Sequence, residues 1–210
     1  YGTIEGGTWN AKVYNYNSER GIPGAIVNNV WRRGERVWDT NSFFQGSFVK
    51  EVSDQFKPQV NAKYAFYRTH YVNNDDKLIE VDNLYKQREV YVSTANMYTI
   101  FPFWDVSMSY DFQWNEMKAD MYGFVFPTRF TNLLSIATAL RLGKVKLQGS
   151  GLATFVNDRV KEGPAPKARQ ILTPAVFLSY KLFDKHDFSL RAFYKKTFRM
   201  PTFNDLYYAD

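Results

Sequence analysis

The 210 residues contain no cysteine and only two histidines. The first absence excludes a disulfide framework and thiolate-bound metals, and the second leaves little material for a histidine-built metal or catalytic centre. Long apolar runs are missing as well. Nothing approaches the roughly eighteen consecutive apolar residues of a membrane-crossing helix, and mean hydropathy is −0.44. No segment carries a helical period. The net charge of +6 is not gathered into a basic stripe. Lys and Arg are scattered among strands and loops, so nucleic acid is not an expected partner.

What the chain does have is alternation. Between Trp104 and Trp114, Val106, Met108, Tyr110 and Phe112 alternate with Asp105, Ser107, Ser109, Asp111 and Gln113. Side chains on a strand point to opposite faces in turn, so this segment is a strand with one apolar and one polar face. Strands of soluble proteins cluster near five or six residues, whereas a tilted strand crossing a bilayer needs about nine to eleven. Trp at both ends suits the two membrane–water interfaces.

The pattern recurs over residues 9–16, 42–50, 58–71, 88–96, 130–142, 144–156, 172–182 and 188–198. Val60, Ala62, Tyr64 and Phe66 oppose Gln59, Asn61, Lys63 and Tyr67; Leu134, Ile136, Leu140 and Leu142 oppose Ser135, Ala137, Ala139 and Arg141. Val145, Leu147, Ala153 and Phe155 form a further apolar set, as do Val176, Leu178, Tyr180 and Leu182, and Phe188, Leu190, Ala192 and Tyr194. The alternation predicts nine strands.

The expected connections alternate in length. Those over 17–41, 72–87, 115–129 and 157–171 are long, and those over 51–57, 97–103, 143 and 183–187 are short. All long loops then leave the same edge of an up-and-down sheet, as in outer-membrane barrels with short periplasmic turns and long extracellular loops. A Greek-key sandwich mixes hairpins and crossovers and has no reason to alternate. The low hydropathy is compatible with such a barrel, because half of each strand faces a polar lumen. Aromatics at 18% suit interfacial girdles. The expected fold class is therefore all-β, an antiparallel up-and-down transmembrane β-barrel, with residues 1–210 forming about nine strands of a larger barrel.

Two segments carry a family resemblance. The first is Tyr14-Asn15-Tyr16-Asn17-Ser18-Glu19-Arg20-Gly21-Ile22-Pro23-Gly24; the second runs from Thr197 through Phe198, Arg199, Met200, Pro201, Thr202, Phe203, Asn204, Asp205, Leu206 and Tyr207 to Tyr208. Both are expected at exits from strand to long loop, and both resemble segments of TonB-dependent outer-membrane receptors, most closely the siderophore and cobalamin branch. In the first, Gly21 and Gly24 allow positive φ around Pro23. In the second, Pro201 ends the hydrogen-bonded ladder and Asn204 and Asp205 can cap the turn that follows.

The resemblance implies a cell outer-membrane location in a Gram-negative bacterium. It implies active uptake of a scarce nutrient such as a ferric siderophore or cobalamin, contact with outer-membrane lipid, a plug domain and the TonB complex as partners, no cofactor and no enzymatic activity. The family's plug, coupling box and final aromatic-ended strand are not in this sequence, so an internal barrel piece is expected.

Arg32, Arg33 and Arg36 in the first long loop are candidates to attract an anionic ligand or lipopolysaccharide. Asp105, Asp111, Lys63 and Arg191 are expected in the lumen, and His70 and His186 at opposite rims, which disfavours an outer-membrane hydrolase with a converging catalytic cluster. A passive porin and a soluble carbohydrate-binding β-sandwich remain alternative readings.

Overall fold

The computed structural model describes residues 2–4, 6–22, 26–27, 30–31, 35–73, 80–183 and 188–207. It contains β1 (Gly2–Ile4), β2 (Gly7–Ile22), β3 (Ile26–Val27), β4 (Val30–Trp31), β5 (Glu35–Lys50), β6 (Phe56–Asn73), β7 (Val81–Phe101), β8 (Trp104–Ala119), β9 (Thr128–Leu142), β10 (Val145–Arg159), β11 (Arg169–Lys181), β12 (Ser189–Lys195) and a helix α1 (Phe203–Tyr207). Ten strands form one antiparallel sheet in the order β1-β2-β5-β6-β7-β8-β9-β10-β11-β12, and β3 pairs with β4 as a separate hairpin. The sheet is open, with β1 and β12 at its edges. No strand contacts any strand other than its hydrogen-bonded neighbours, so the described structure is a single layer.

Each of the nine expected strands is present, and the short β1 adds a tenth by folding back on the start of β2. The boundaries differ mostly at one end, although β7 also runs on to Phe101 through most of the expected turn 97–103. β2, β5, β7 and β8 run well into segments expected as long loops, leaving connections at 23–34, 74–80, 120–127 and 160–168. At the other end the connections are 51–55, 102–103, 143–144 and 182–188. Length still alternates through all four pairs, but 182–188 is no shorter than 74–80, so the contrast is weaker than expected. The connection at Gly143-Lys144 shows how tight the short turns are. Gly143 has φ of 57°, which suits the first central position of a two-residue hairpin turn where a side chain would be strained.

β12 is shorter than expected. Pairing with β11 ends at Lys195 opposite Ala175, and residues 196–202 leave the sheet. Phe198 is thus not a strand residue, contrary to the sequence expectation. The helix α1 was not anticipated either, because five residues are too few to display a period of 3.6.

Candidate functional site

The strand register decides which side chains share a face. Met108 is opposite Ile136 and Asn96, Ile136 is opposite Gly151, and Gly151 is opposite Pro174. Towards the other edge, Val90 is opposite Tyr64, Tyr64 opposite Phe44, and Phe44 opposite Val13. Paired residues point to the same side of a sheet, so the six apolar faces recognised separately in the sequence merge, with those of the other three strands, into one surface. From Trp9 on β2 to Tyr194 on β12 this surface forms a belt that contains no Asp, Glu, Lys or Arg.

The belt is uncovered. Val13 is 76% exposed and Ile136 56%. Apolar patches on soluble monomers rarely exceed a few hundred Å², and this one extends over nine strands. Several of its polar atoms are paired with one another. Tyr110 donates from its hydroxyl to Asn132 Oδ1 at 2.6 Å, and Trp104 Nε1 donates to Thr138 Oγ1 at 2.8 Å. Paired polar atoms can enter an apolar medium at much lower cost than free ones.

Over the same span the opposite face holds the charges, and from β5 to β11 its side chains are the more enclosed, down to 1% exposure at Thr131. Lys63 Nζ lies 2.9 Å from Glu89 Oε1, Tyr91 donates to Asp111 at 3.1 Å, and Arg141 Nη2 meets Asp105 Oδ2 at 2.7 Å. Asn61 donates to Ser93 at 2.9 Å. Phe43 stacks on Tyr14 at 5.1 Å, and the ammonium groups of Lys12 and Lys63 stand 5.8 and 5.7 Å from its ring centre. Arg191 shares this face, opposite Ser179.

Near the end of the sheet with the longer connections, residues 196–207 cross this polar face and dock on β9 and β10. Arg129 and Asp158 are directly opposed in the register. They form a bidentate pair, Nε to Oδ1 and Nη2 to Oδ2, both at 2.7 Å. The third guanidinium nitrogen donates to the carbonyl of Pro201 at 2.6 Å, and the Arg129 guanidinium lies 4.9 Å from the Phe203 ring centre. Tyr207 donates to Asp158 Oδ2 at 2.9 Å. Burial, together with the adjacent Asp158 carboxylate, pushes the Tyr207 phenol well above the ordinary tyrosine range.

A capping box starts α1. Thr202 Oγ1 accepts from the Asp205 amide at 3.2 Å, and Asp205 Oδ2 accepts from the Thr202 amide at 2.7 Å. The Thr202 donors hold the Asp205 carboxyl below the usual carboxylate range, with a smaller contribution from Arg199.

The sequence-predicted residues fall as follows. Ser18, Arg20 and Gly21 lie inside β2, not at its exit, which comes after Ile22. Arg20 pairs with Asp39, which also accepts from Thr69 at 2.7 Å. Pro23, Gly24, Arg32, Arg33 and His186 lie outside the described residues. Arg36 is a strand residue of β5, not a loop residue, and lies 3.4 Å from Glu19 on the side continuous with the belt. Arg199 is exposed, 4.0 Å from Asp205. Pro201, Asp205, Leu206 and Tyr207 belong to the docked segment, and nothing is described of the Asn204 side chain. His70 lies 2.6 Å from Asp82 and against Trp38.

Sequence reasoning missed Arg129 and Asp158, which it had left in loops. It also missed Asn115, whose buried Oδ1 has no partner among the described residues. Asn115 lines a hollow of about 420 Å³ with Gln113, Thr131 and Phe203. In comparisons with known proteins, the chain matches no family model and no curated protein.

Proposed function

We propose that this sheet is part of the wall of a transmembrane β-barrel, with the belt against lipid and the polar face towards the lumen. The observation that carries the reading is the belt itself: nine strands wide, free of charge, covered by none of the described residues, and backed by a face that carries paired charges. Eleven residues from Trp104 to Trp114, at about 3.3 Å each and tilted by about 40°, rise about 25 Å, the height of the apolar band of outer-membrane barrels. A soluble β-sandwich places a second sheet about 10 Å above such a face, and no described strand occupies that position.

Within that class, the segments around Arg20 and around Pro201–Tyr207 support a TonB-dependent receptor of the outer membrane, engaged in active uptake of a scarce nutrient of the ferric-siderophore or cobalamin kind. On this reading the strands supply the wall, the long-connection end captures ligand from outside the cell, and the polar face meets a plug domain whose energised movement opens the path. The docked segment 196–207 keeps the rim of β9 and β10 in a fixed shape through Arg129 and Asp158.

Two experiments test the reading at its two levels. A membrane-impermeant thiol reagent applied to intact cells should label Glu162→Cys and leave Pro102→Cys untouched; equal labelling of both sinks the orientation. The chain contributes no thiol background. Uptake of the nutrient by cells carrying the full-length protein should stop when the inner-membrane proton gradient is collapsed, because TonB coupling depends on it. Uptake that continues unchanged favours the passive porin.

A further inference from the structure

On the side continuous with the belt, beyond its end nearer the long connections, three strands repeat the same electrostatic conflict. Arg68 on β6 is directly opposite Lys86 on β7, and Lys86 is directly opposite Lys118 on β8. Arg88 follows two residues along β7 on the same side. Like charges placed directly opposite one another destabilise a sheet. Glu116 lies opposite Arg88 but contacts Lys118, at 3.3 Å. Arg68, Lys86 and Arg88 have no ion pair or hydrogen bond among the described residues, and all four cations are exposed. Other charges on the sheet do find partners across strands, as at Lys63–Glu89 and Arg141–Asp105, and neither of those pairs sets like charges opposite one another.

The position of the row is informative. The register places Tyr64, Val90 and Trp114 in one row, Phe66, Arg88 and Glu116 in the next, and Arg68, Lys86 and Lys118 in the one after. The cations therefore begin about 7 Å along the strands past Trp114 and continue to about 14 Å. With the tilt of the strands this is the depth of lipid headgroups, immediately outside an aromatic girdle. Neighbouring strands are about 4.8 Å apart, so the row spans about 10 Å, a width suited to anionic oxygens seated between side chains. Beside Arg68 lies a hollow of about 510 Å³ lined by Trp38, Thr40 and His70, with Glu19 and Asp39 also on its wall.

We propose that Arg68, Lys86, Arg88 and Lys118 form a site that binds the phosphate of a membrane-lipid headgroup in the leaflet at the long-connection end. This rests on the transmembrane reading above. Phosphate offers several acceptor oxygens and a concentrated negative charge, which relieves the repulsion along the row. A lipid is favoured over a free anion because the belt directly below accepts its acyl chains.

The test uses the full-length protein in neutral detergent and in phosphatidylcholine bilayers. Native mass spectrometry should show dioctanoyl phosphatidic acid retained in preference to dioctanoyl phosphatidylcholine. Arg68→Gln and Lys86→Gln should each weaken retention about fivefold and the double variant about thirtyfold, while Lys146→Gln, a charge-matched change on the opposite face, should leave it unchanged. Inorganic phosphate at the same concentration should not displace the lipid. Equal retention of the two lipids, an unaffected double variant, or displacement by inorganic phosphate would overturn the site. Insertion of the unmodified protein into pure phosphatidylcholine separates the two readings. Insertion without headgroup preference overturns the phosphate site alone; failure to insert overturns the transmembrane reading and the site with it.

Discussion

The two faces of β8 differ in what they tolerate, though they alternate residue by residue along one backbone. On one face Met108 and Tyr110 lie in a belt without charge. On the other Asp105 and Asp111 are held by Arg141, Thr99 and Tyr91. The comparison teaches that the apolar face is specified by exclusion and the polar face by partnership. Most side chains on the first need only lack charge, whereas on the second particular donors must meet particular acceptors.

The largest effect is expected where partnership is most buried. Asp158→Ala would leave the Arg129 guanidinium uncompensated in a site 6% exposed and should cost about 3–5 kcal/mol, measured by equilibrium unfolding of the full-length protein in lipid. A loss under about 1 kcal/mol would mean that the pair is solvated and the contrast between faces overstated. Next in size is exclusion. Met108→Arg should cost about 2–4 kcal/mol in the same assay, Ser109→Arg little, and Arg at Trp104 or Trp114 about 0–1 kcal/mol. A flat profile from Trp104 to Trp114 would remove the belt from the bilayer.

A smaller effect is expected at the capping box, where Thr202→Ala should cost about 1 kcal/mol in helix docking, read as faster amide exchange at Phe203–Tyr207. Asp205 sharpens this point through pH. Its pKa is lowered in the folded protein, so its contribution is present above the ordinary carboxylate range and lost as pH falls through the lowered value. Docking of 196–207 should therefore persist at pH 5 and loosen only in strong acid, and loosening already near pH 5 would contradict the hydrogen-bonded geometry. The smallest effect belongs to the exposed pair Arg36–Glu19 beyond the belt. Breaking it should change stability by about 0.2–1 kcal/mol and only at low salt.

The comparison also explains what the sequence could reveal. Alternation is written into a strand only where its two sides meet different surroundings. Across the belt it is plain, which is why Val106 to Trp114 and Leu134 to Leu142 were assigned to the faces the register gives them. Beyond the belt both sides are polar. Asp82 and Lys86 point one way and Asn83 and Gln87 the other, so the first turn of β7 was read as loop. The same loss of contrast hid Glu35 to Asn41 and Glu116 to Ala119.

The site was less legible for a different reason. Arg129, Asp158 and Tyr207 meet across long sequence separations, and no local pattern records that meeting. The same long-range docking ended β12 early, at a position where the alternation of Leu190, Ala192 and Tyr194 gave no stop signal. Thr202 and Asp205 were a partial exception, because a capping box is a local feature and Asp205 was expected to cap.

The neighbour-by-neighbour strand order governs how such a wall is assembled. Each large strand pairs with the large strand just before it in sequence, so contacts between strands are local in the chain, a topology that lowers the entropic cost of forming the sheet. The edge available for growth is always the newest strand. Because β12 stops at Lys195, the Arg169–Thr173 portion of β11 presents backbone groups without a strand partner among the described residues. Unpaired groups of this kind template the pairing of another strand, and the register of any strand that adds there is set by them. The short strand thus leaves the rest of its neighbour's edge bare, an open template for strand pairing on an otherwise laddered sheet.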